Sequence, residues 1–173
     1  MPKAGTETKV VGTNLLRELN SSERIVTIDY KNSQSWFDED KNNKAGTFNA
    51  TDAQNGTGAD AVISFDPDSD ISIMTVDTET SNVSAQKRPN KIGLGHELIH
   101  AEHYMEGSYA PESDKSTHTF KMGGKTYSET YQTEELRTVG LVGNKKGDHT
   151  ENQLRKENRL NSRGAYNTYK EKK

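Results

Sequence analysis

The stretch KIGLGHELIHAEHYMEG, residues 91–107, holds three of the chain's five histidines together with three carboxylates, and it constrains the fold more than any other segment. At about 100° per residue, Leu94, Leu98, Ala101 and Met105 fall on one stripe of a helix, and His96, His100 and His103 fall on the opposite one. The expectation is a helix from about Leu94 to Glu106, stopped by Gly107, held down by one face and presenting imidazoles on the other. Glu102 and Glu106 read as solvated.

His96-Glu97-Leu98-Ile99-His100 is an H-E-x-x-H pattern. Positions four apart on a helix lie one above the other, so both imidazoles can turn a ring nitrogen toward one Zn²⁺ at about 2.0–2.1 Å. Glu97, one residue round, is placed to act on water at the metal rather than to bind the metal. Composition alone produces such a pattern in about one chain in a hundred of this make-up, so the helical wheel carries independent weight. His103 lies roughly 10 Å along the axis from His96, too far to complete the same site. It reads either as a group behind the ligands or in a substrate cleft, or as a merely structural histidine.

The chain has no cysteine, so thiolate metal sites and disulfides are excluded, and a third ligand must be a carboxylate, His118 or His149. The segment YQTEELRTVGLVG gives the best physical case. Read as a helix from about Ser128 to Val142, it places Glu135 on an apolar face with Tyr131, Val139 and Val142, where a carboxylate is costly unless paired. Glu134 then points away with Arg137 and Leu141; a different helix phase would exchange the two.

The rest of the sequence frames one α+β domain over residues 1–173. RIVTIDY (24–30), ADAVISF (59–65) and DISIMTV (70–76) read as strands. A third helix begins at Thr150, with TENQ as a capping box. Strands followed by helices suggest α+β. With 29% apolar and 28% charged residues, the core must be small. Trp36 with Phe37 reads as a core plug or loop anchor, and DPDSD (66–70) as a polar turn rather than a calcium loop.

Ten acids against Lys41 and Lys44 lie between Asp38 and Thr80, and twelve basic residues against seven acids between Lys121 and Lys173. Neither block is a nucleic-acid stripe with interleaved aromatics. The N-terminus lacks the apolar run of a secretory signal, and there is no 18-residue apolar span, so neither a classical signal peptide nor a membrane partner is expected.

HELIHAEHYMEG followed by EELRTVG closely resembles the zinc-binding helix and third-ligand helix of clostridial neurotoxin light chains, which read HELIHAGH and EELRTFGG. Glu135 also stands 35 residues after His100, as that pattern requires. The short chain and TENQLRKENRLNSRGAY look more like the NleD-type effector metallopeptidases, bacterial toxins delivered into host cells. This resemblance implies a zincin-like fold: a small twisted mixed sheet packed on the H-E-x-x-H helix and a second helix carrying the glutamate ligand. It implies one zinc per chain held by His96, His100 and Glu135, with Glu97 as general base. By the same resemblance Arg163 and Tyr166, spaced as R-x-x-Y, stabilise the oxyanion, and Glu151 orients the arginine. The likeness covers about Ala59 to Tyr166, the catalytic core (59–167), and leaves 1–58 unmatched.

The reading is a secreted zinc endopeptidase, monomeric, acting on a protein substrate in the target-cell cytoplasm, with a host mitogen-activated protein kinase as the leading substrate class. The alternatives are an antibacterial polymorphic-toxin protease domain and a zinc-stabilised binding module without turnover. In zincins a strand near the helix binds peptide by edge addition, and DISIMTV, or else ADAVISF, is the candidate.

Overall fold

A computed structural model describes residues 10–30 and 43–169. Trp36 and Phe37 lie outside the described residues. The element order is α1 (Val10–Ser21), β1 (Val26–Tyr30), β2 (Lys44–Gly46), β3 (Ala61–Phe65), β4 (Ser72–Val76), β5 (Val83–Lys87), α2 (Asn90–Glu106), β6 (Lys115–Met122), β7 (Lys125–Gln132), α3 (Thr133–Val139), α4 (Glu151–Glu157) and β8 (Arg163–Ala165). The class is α+β, as the sequence implied, but strands and helices interleave instead of separating into two halves.

The strands form three small sheets, the first of which packs on α2. In the first, β3 is central, parallel to β1 and antiparallel to β2. In the second, β4 runs antiparallel to both β5 and β8. The third is the β6–β7 hairpin, turned at Gly123-Gly124 with φ values of 57° and 75°. Positive φ at both central residues makes the tight turn whose twist suits a hairpin. This is where the sequence reading fails. The helix expected from Ser128 is strand β7 as far as Gln132, and α3 starts only at Thr133. Of the candidate peptide-binding edges, β3 is central, between β1 and β2; β4 pairs with β5 along its length but with β8 only at Met74 and Thr75, and its Ser72 and Ile73 line the central cavity. The edge strand β2 also lines that cavity, through Lys44 and Ala45.

α2 is buried almost all round, so the expected split into an anchored face and an open face is wrong. Ala101 and Tyr104 pack with Ala59, Ala61 and Ile63 on the β3 side, while Ile92 and Ile99 pack with Leu15 and Leu154 of α1 and α4. His96, His100 and His103 are as buried as the apolar residues, and Leu94 and Leu98 are half-buried. Glu102 is buried rather than solvated; Glu106 is exposed. The helix stops at Gly107, whose left-handed φ of 69° lets its N–H return to the carbonyls of His103 and Tyr104. Gly95 serves close approach: a β-carbon there would lie 2.6 Å from Leu154 Cδ1. Its absence lets α4 settle against α2 beside His96.

α4 begins as the sequence indicated. Thr150 accepts the Gln153 N–H, and the Gln153 side chain accepts the Thr150 N–H. The reciprocal cap fixes the first turn, and Glu151 sits in that turn.

Candidate metal centre and catalytic cleft

Three elements bring the site together. α2 supplies His96 and His100, α3 supplies Glu134 and Glu135, and α4 supplies Glu151. His96 Nε2 and His100 Nε2 stand 3.2 Å apart, and each is 3.2 Å from Glu135 Oε2. Ligands held about 2.0–2.1 Å from a tetrahedral zinc stand about 3.3–3.4 Å from one another, so this triangle matches the ligand spacing of a zinc site.

The opposite ring nitrogens are tied back. His96 Nδ1 is 3.0 Å from Glu151 Oε2, and His100 Nδ1 is 3.2 Å from Glu134 Oε1. Each Nδ1–H donates to its carboxylate, which leaves each Nε2 with a lone pair aimed at the common point. Thr138 Oγ1 lies 3.2 Å from the same His100 Nδ1 and donates to Glu134 Oε1. His103 Nδ1 also bonds Glu134 Oε1. Of the two positions open in the sequence, His103 therefore stands behind His100, joined through Glu134, and does not line the cavity.

The electrostatics favour a cation at this point. Burial works against the charged form of His96, but hydrogen bonds to Glu135 and Glu151 outweigh it and raise its pKa. His100 is pushed well above its ordinary value in the same way, against burial, by Glu135 and Glu134. Burial would raise Glu134, Glu135 and Glu151, yet each is held below the carboxylate range by its basic neighbours. The pocket thus stabilises positive charge where the two Nε2 atoms and Oε2 converge, and a divalent cation meets that field directly.

The choice of Glu135 over Glu134 rested on a helix phase that does not exist, because Tyr131 lies on strand β7. In the structure Glu134 is the more buried side chain, 1% exposed against 19% for Glu135. Glu134 Oε2 accepts the Ala110 N–H at 2.9 Å while its other oxygen faces the imidazoles. The order of burial is the reverse of that expected from an apolar stripe, because the carboxylate engaged on both oxygens is the one sealed away. His118 and His149 are elsewhere: His118 Nε2 bonds the Gly164 carbonyl and His149 Nδ1 bonds Glu102.

Arg163 and Tyr166 enter from β8 and the residues after it. Tyr166 O–H donates to Glu135 Oε2 at 2.8 Å, and its ring stacks on Tyr131 with centroids 4.2 Å apart. Arg163 donates through Nη1 to Glu151 Oε2, through Nη2 to the Tyr166 carbonyl and through Nε to the Ala165 carbonyl. Its guanidinium carbon also lies 4.5 Å from the centre of the Tyr166 ring. Glu151 Oε2 therefore serves both His96 and Arg163, and three of the five guanidinium N–H groups are engaged in holding this corner.

These groups surround a cavity of about 630 Å³ lined by His96, Glu97, His100, Glu135, Tyr131, Arg163 and Tyr166, together with Arg88, Asn43 and Tyr109, which the sequence did not flag. Glu97 is 4% exposed, and no donor among the described residues bonds its carboxylate. Every other acid in this centre is engaged; Glu97 is not.

A family model, Peptidase_M91, described as "Effector protein", matches residues 5–166. The chain belongs to that family. The match runs through the N-terminal part for which the sequence offered no likeness. Comparison with curated proteins finds no match. Among solved structures, the chain is similar to the botulinum neurotoxin serotype C1 light chain protease at 24% identity and TM-score 0.40, covering 54% of this chain and 24% of that one. It is similar to the apo, zinc-removed form of the type C light chain at 23% identity and TM-score 0.42, covering 56% and 24%. It is similar to the serotype HA light chain at 19% identity and TM-score 0.48, covering 77% and 32%. The chain thus spans less than a third of the length of those light chains. Among the described residues of this peptidase-family effector, no helix is long and apolar enough to cross a membrane.

Proposed function

We propose that this effector is a monomeric zinc endopeptidase that cuts a protein of the target cell, with one Zn²⁺ per chain held by His96, His100 and Glu135. The observation that carries the reading is the convergence of two Nε2 atoms and Glu135 Oε2 at 3.2 Å beside a buried carboxylate that no described residue engages. Zinc bound there would supply Lewis-acid activation of a scissile carbonyl and of water. Glu97 takes the proton of the attacking water and returns it to the leaving amine. Tyr166 O–H, next to Glu135, donates to the oxyanion of the tetrahedral intermediate. Arg163 adds positive charge and fixes Tyr166 through its carbonyl and ring. Glu134 and Glu151 hold the two imidazoles in the tautomer that leaves Nε2 free.

The substrate is a target-cell protein, with a host mitogen-activated protein kinase as the leading class on the likeness to NleD-type effectors. A binding module without turnover has no use for an unengaged buried carboxylate, and Glu97 weighs against it. Mapping of new protein N-termini in target-cell lysate, wild type against Glu97→Gln, tests the reading. Cleavage products present with wild type and missing with the variant are expected; identical N-termini in both would refute it.

A further inference from the structure

The cleft wall holds a second buried charge with no partner, and it is a cation. Arg88, just after β5, is 5% exposed and lines the same cavity as Glu97. Its backbone N–H bonds the Ile71 carbonyl at 3.0 Å, but its guanidinium makes no hydrogen bond or ion pair among the described residues. The other three buried arginines are all engaged: Arg137 with Asp148 and the Ser108 carbonyl, Arg155 with Glu151 and the Asn161 carbonyl, Arg163 with Glu151 and the Tyr166 carbonyl.

Beside Arg88 stands a second unsatisfied donor. Asn43 is 5% exposed, and its Oδ1 accepts the Asp66 N–H at 2.8 Å, which fixes the amide and leaves the buried Nδ2 without a partner. Both side chains rest on the first turn of α2. A β-carbon on Gly93 would lie 2.9 Å from Asn43 Nδ2 and 3.1 Å from Arg88 Nε and Nη2. Only glycine leaves room for the pair, three residues before His96.

A guanidinium that faces the cleft without a protein acceptor, next to a buried amide donor that also lacks one, is a place where a bound group brings the acceptors. Glu97 and Glu151 favour the charge on Arg88 from a distance, against burial, but neither bonds it. What the two donors lack is a compact oxyanion, which a guanidinium meets with two parallel N–H groups. We infer that Arg88 and Asn43 form an anion-binding subsite of the cleft that takes an acidic side chain of the substrate close to the bond being cut. The subsite rests on the peptidase reading above and adds a substrate class to it: peptides with a carboxylate, or a phosphate of the same chemistry, at one fixed position near the scissile bond.

The test uses the zinc-loaded full chain and peptide pools of one length that carry Glu, Gln or phosphoserine at each position in turn. Wild type is expected to cleave the Glu pool at least about tenfold better than the Gln pool at one position, the size of a charge-assisted hydrogen bond, mainly through KM. Arg88→Met should bring that ratio close to one. Arg88→Lys, which keeps the charge and loses the fork, should fall between and covers the case in which the methionine variant does not fold. A phosphoserine pool cut better than the Glu pool makes phosphate the anion the subsite takes. Glu and Gln pools cut equally by wild type, or a wild-type ratio in Arg88→Met, would overturn the subsite and leave the peptidase reading intact. A parallel arm measures anisotropy of the labelled pools on Glu97→Gln. If no pool is cleaved, the peptidase reading falls, and this arm still decides the subsite by preference for Glu over Gln.

Discussion

Two of the clusters of imidazole and carboxylate that α2 carries differ in one respect. At one, His96 and His100 give their Nδ1 atoms to Glu151 and Glu134 and aim both Nε2 atoms at Glu135. At the other, Glu102 meets His149 Nδ1 at 2.8 Å, with Glu18 3.8 Å from the same nitrogen. Burial pushes the Glu102 carboxyl up to about 7 even against the His149 hydrogen bond. Both groups place potential ligand atoms near one another. Only the first aims two ring nitrogens and a carboxylate oxygen at one common point, because a further row of carboxylates holds the far sides of the rings. The second is a buried pair in which the imidazole nitrogen nearest the acids is already used. Clustering of ligand-type residues is therefore a weaker sign of a metal centre than the direction of their lone pairs.

That contrast can be broken most forcefully at Glu97. Glu97→Gln should keep one zinc per chain and lose at least about a hundredfold in kcat/KM on a cleaved peptide, the contribution of a general base. A variant as active as wild type would remove Glu97 from the mechanism. Next in size are the carboxylates behind the rings. Glu151→Gln and Glu134→Gln, measured by competition with a zinc chelator, should each weaken zinc binding by about 10–100-fold. Equal affinity would mean that the tautomers are set by something else.

The second cluster should behave oppositely. Glu102→Ala should leave zinc affinity unchanged and lower stability in denaturant by about 1–3 kcal/mol, because it strands His149 in a buried position. A change in zinc stoichiometry would place the second cluster among metal sites. The smallest effect is expected at Asp148, which accepts from Arg137 Nε at 2.7 Å. Partial burial would raise its pKa, but Arg137 and the Lys145 N–H hold it below the usual value. Because the folded pKa is depressed, Asp148 stabilises above its unfolded pKa of about 3.9 and loses that contribution as pH falls through the folded value. The stability gap between wild type and Asp148→Asn should thus be open at pH 6 and narrow progressively as pH falls below about 3.9; a gap independent of pH would point to packing instead.

Much of this was legible in short-range patterns. His96, Glu97 and His100, the stop at Gly107, the Thr150 cap and three strands rest on local spacing and on the conformational demands of single residues, and each lies where local rules place it. What was lost is long-range. KTYSETYQ alternates polar residues and carries few apolar ones, so its pairing with β6 is fixed by a Gly-Gly turn and by cross-strand partners, not by its own pattern. α2 read as one-faced because a helical wheel scores apolarity, whereas His96, His103 and Glu102 are buried through ion pairs with acids and bases 31 to 55 residues away. Arg88 and Asn43 gave no sign, since their meeting depends on Gly93 and on the packing against α2 of β2, which Asn43 immediately precedes.

The account turns on whether His96, His100 and Glu135 together hold the metal, and zinc affinity of wild type beside Glu135→Ala and Glu97→Gln measures that most directly. The prediction is one zinc per chain for wild type and Glu97→Gln at similar affinity, and an affinity at least about a hundredfold weaker for Glu135→Ala. Wild-type affinity in Glu135→Ala, or loss of zinc in Glu97→Gln, would contradict it.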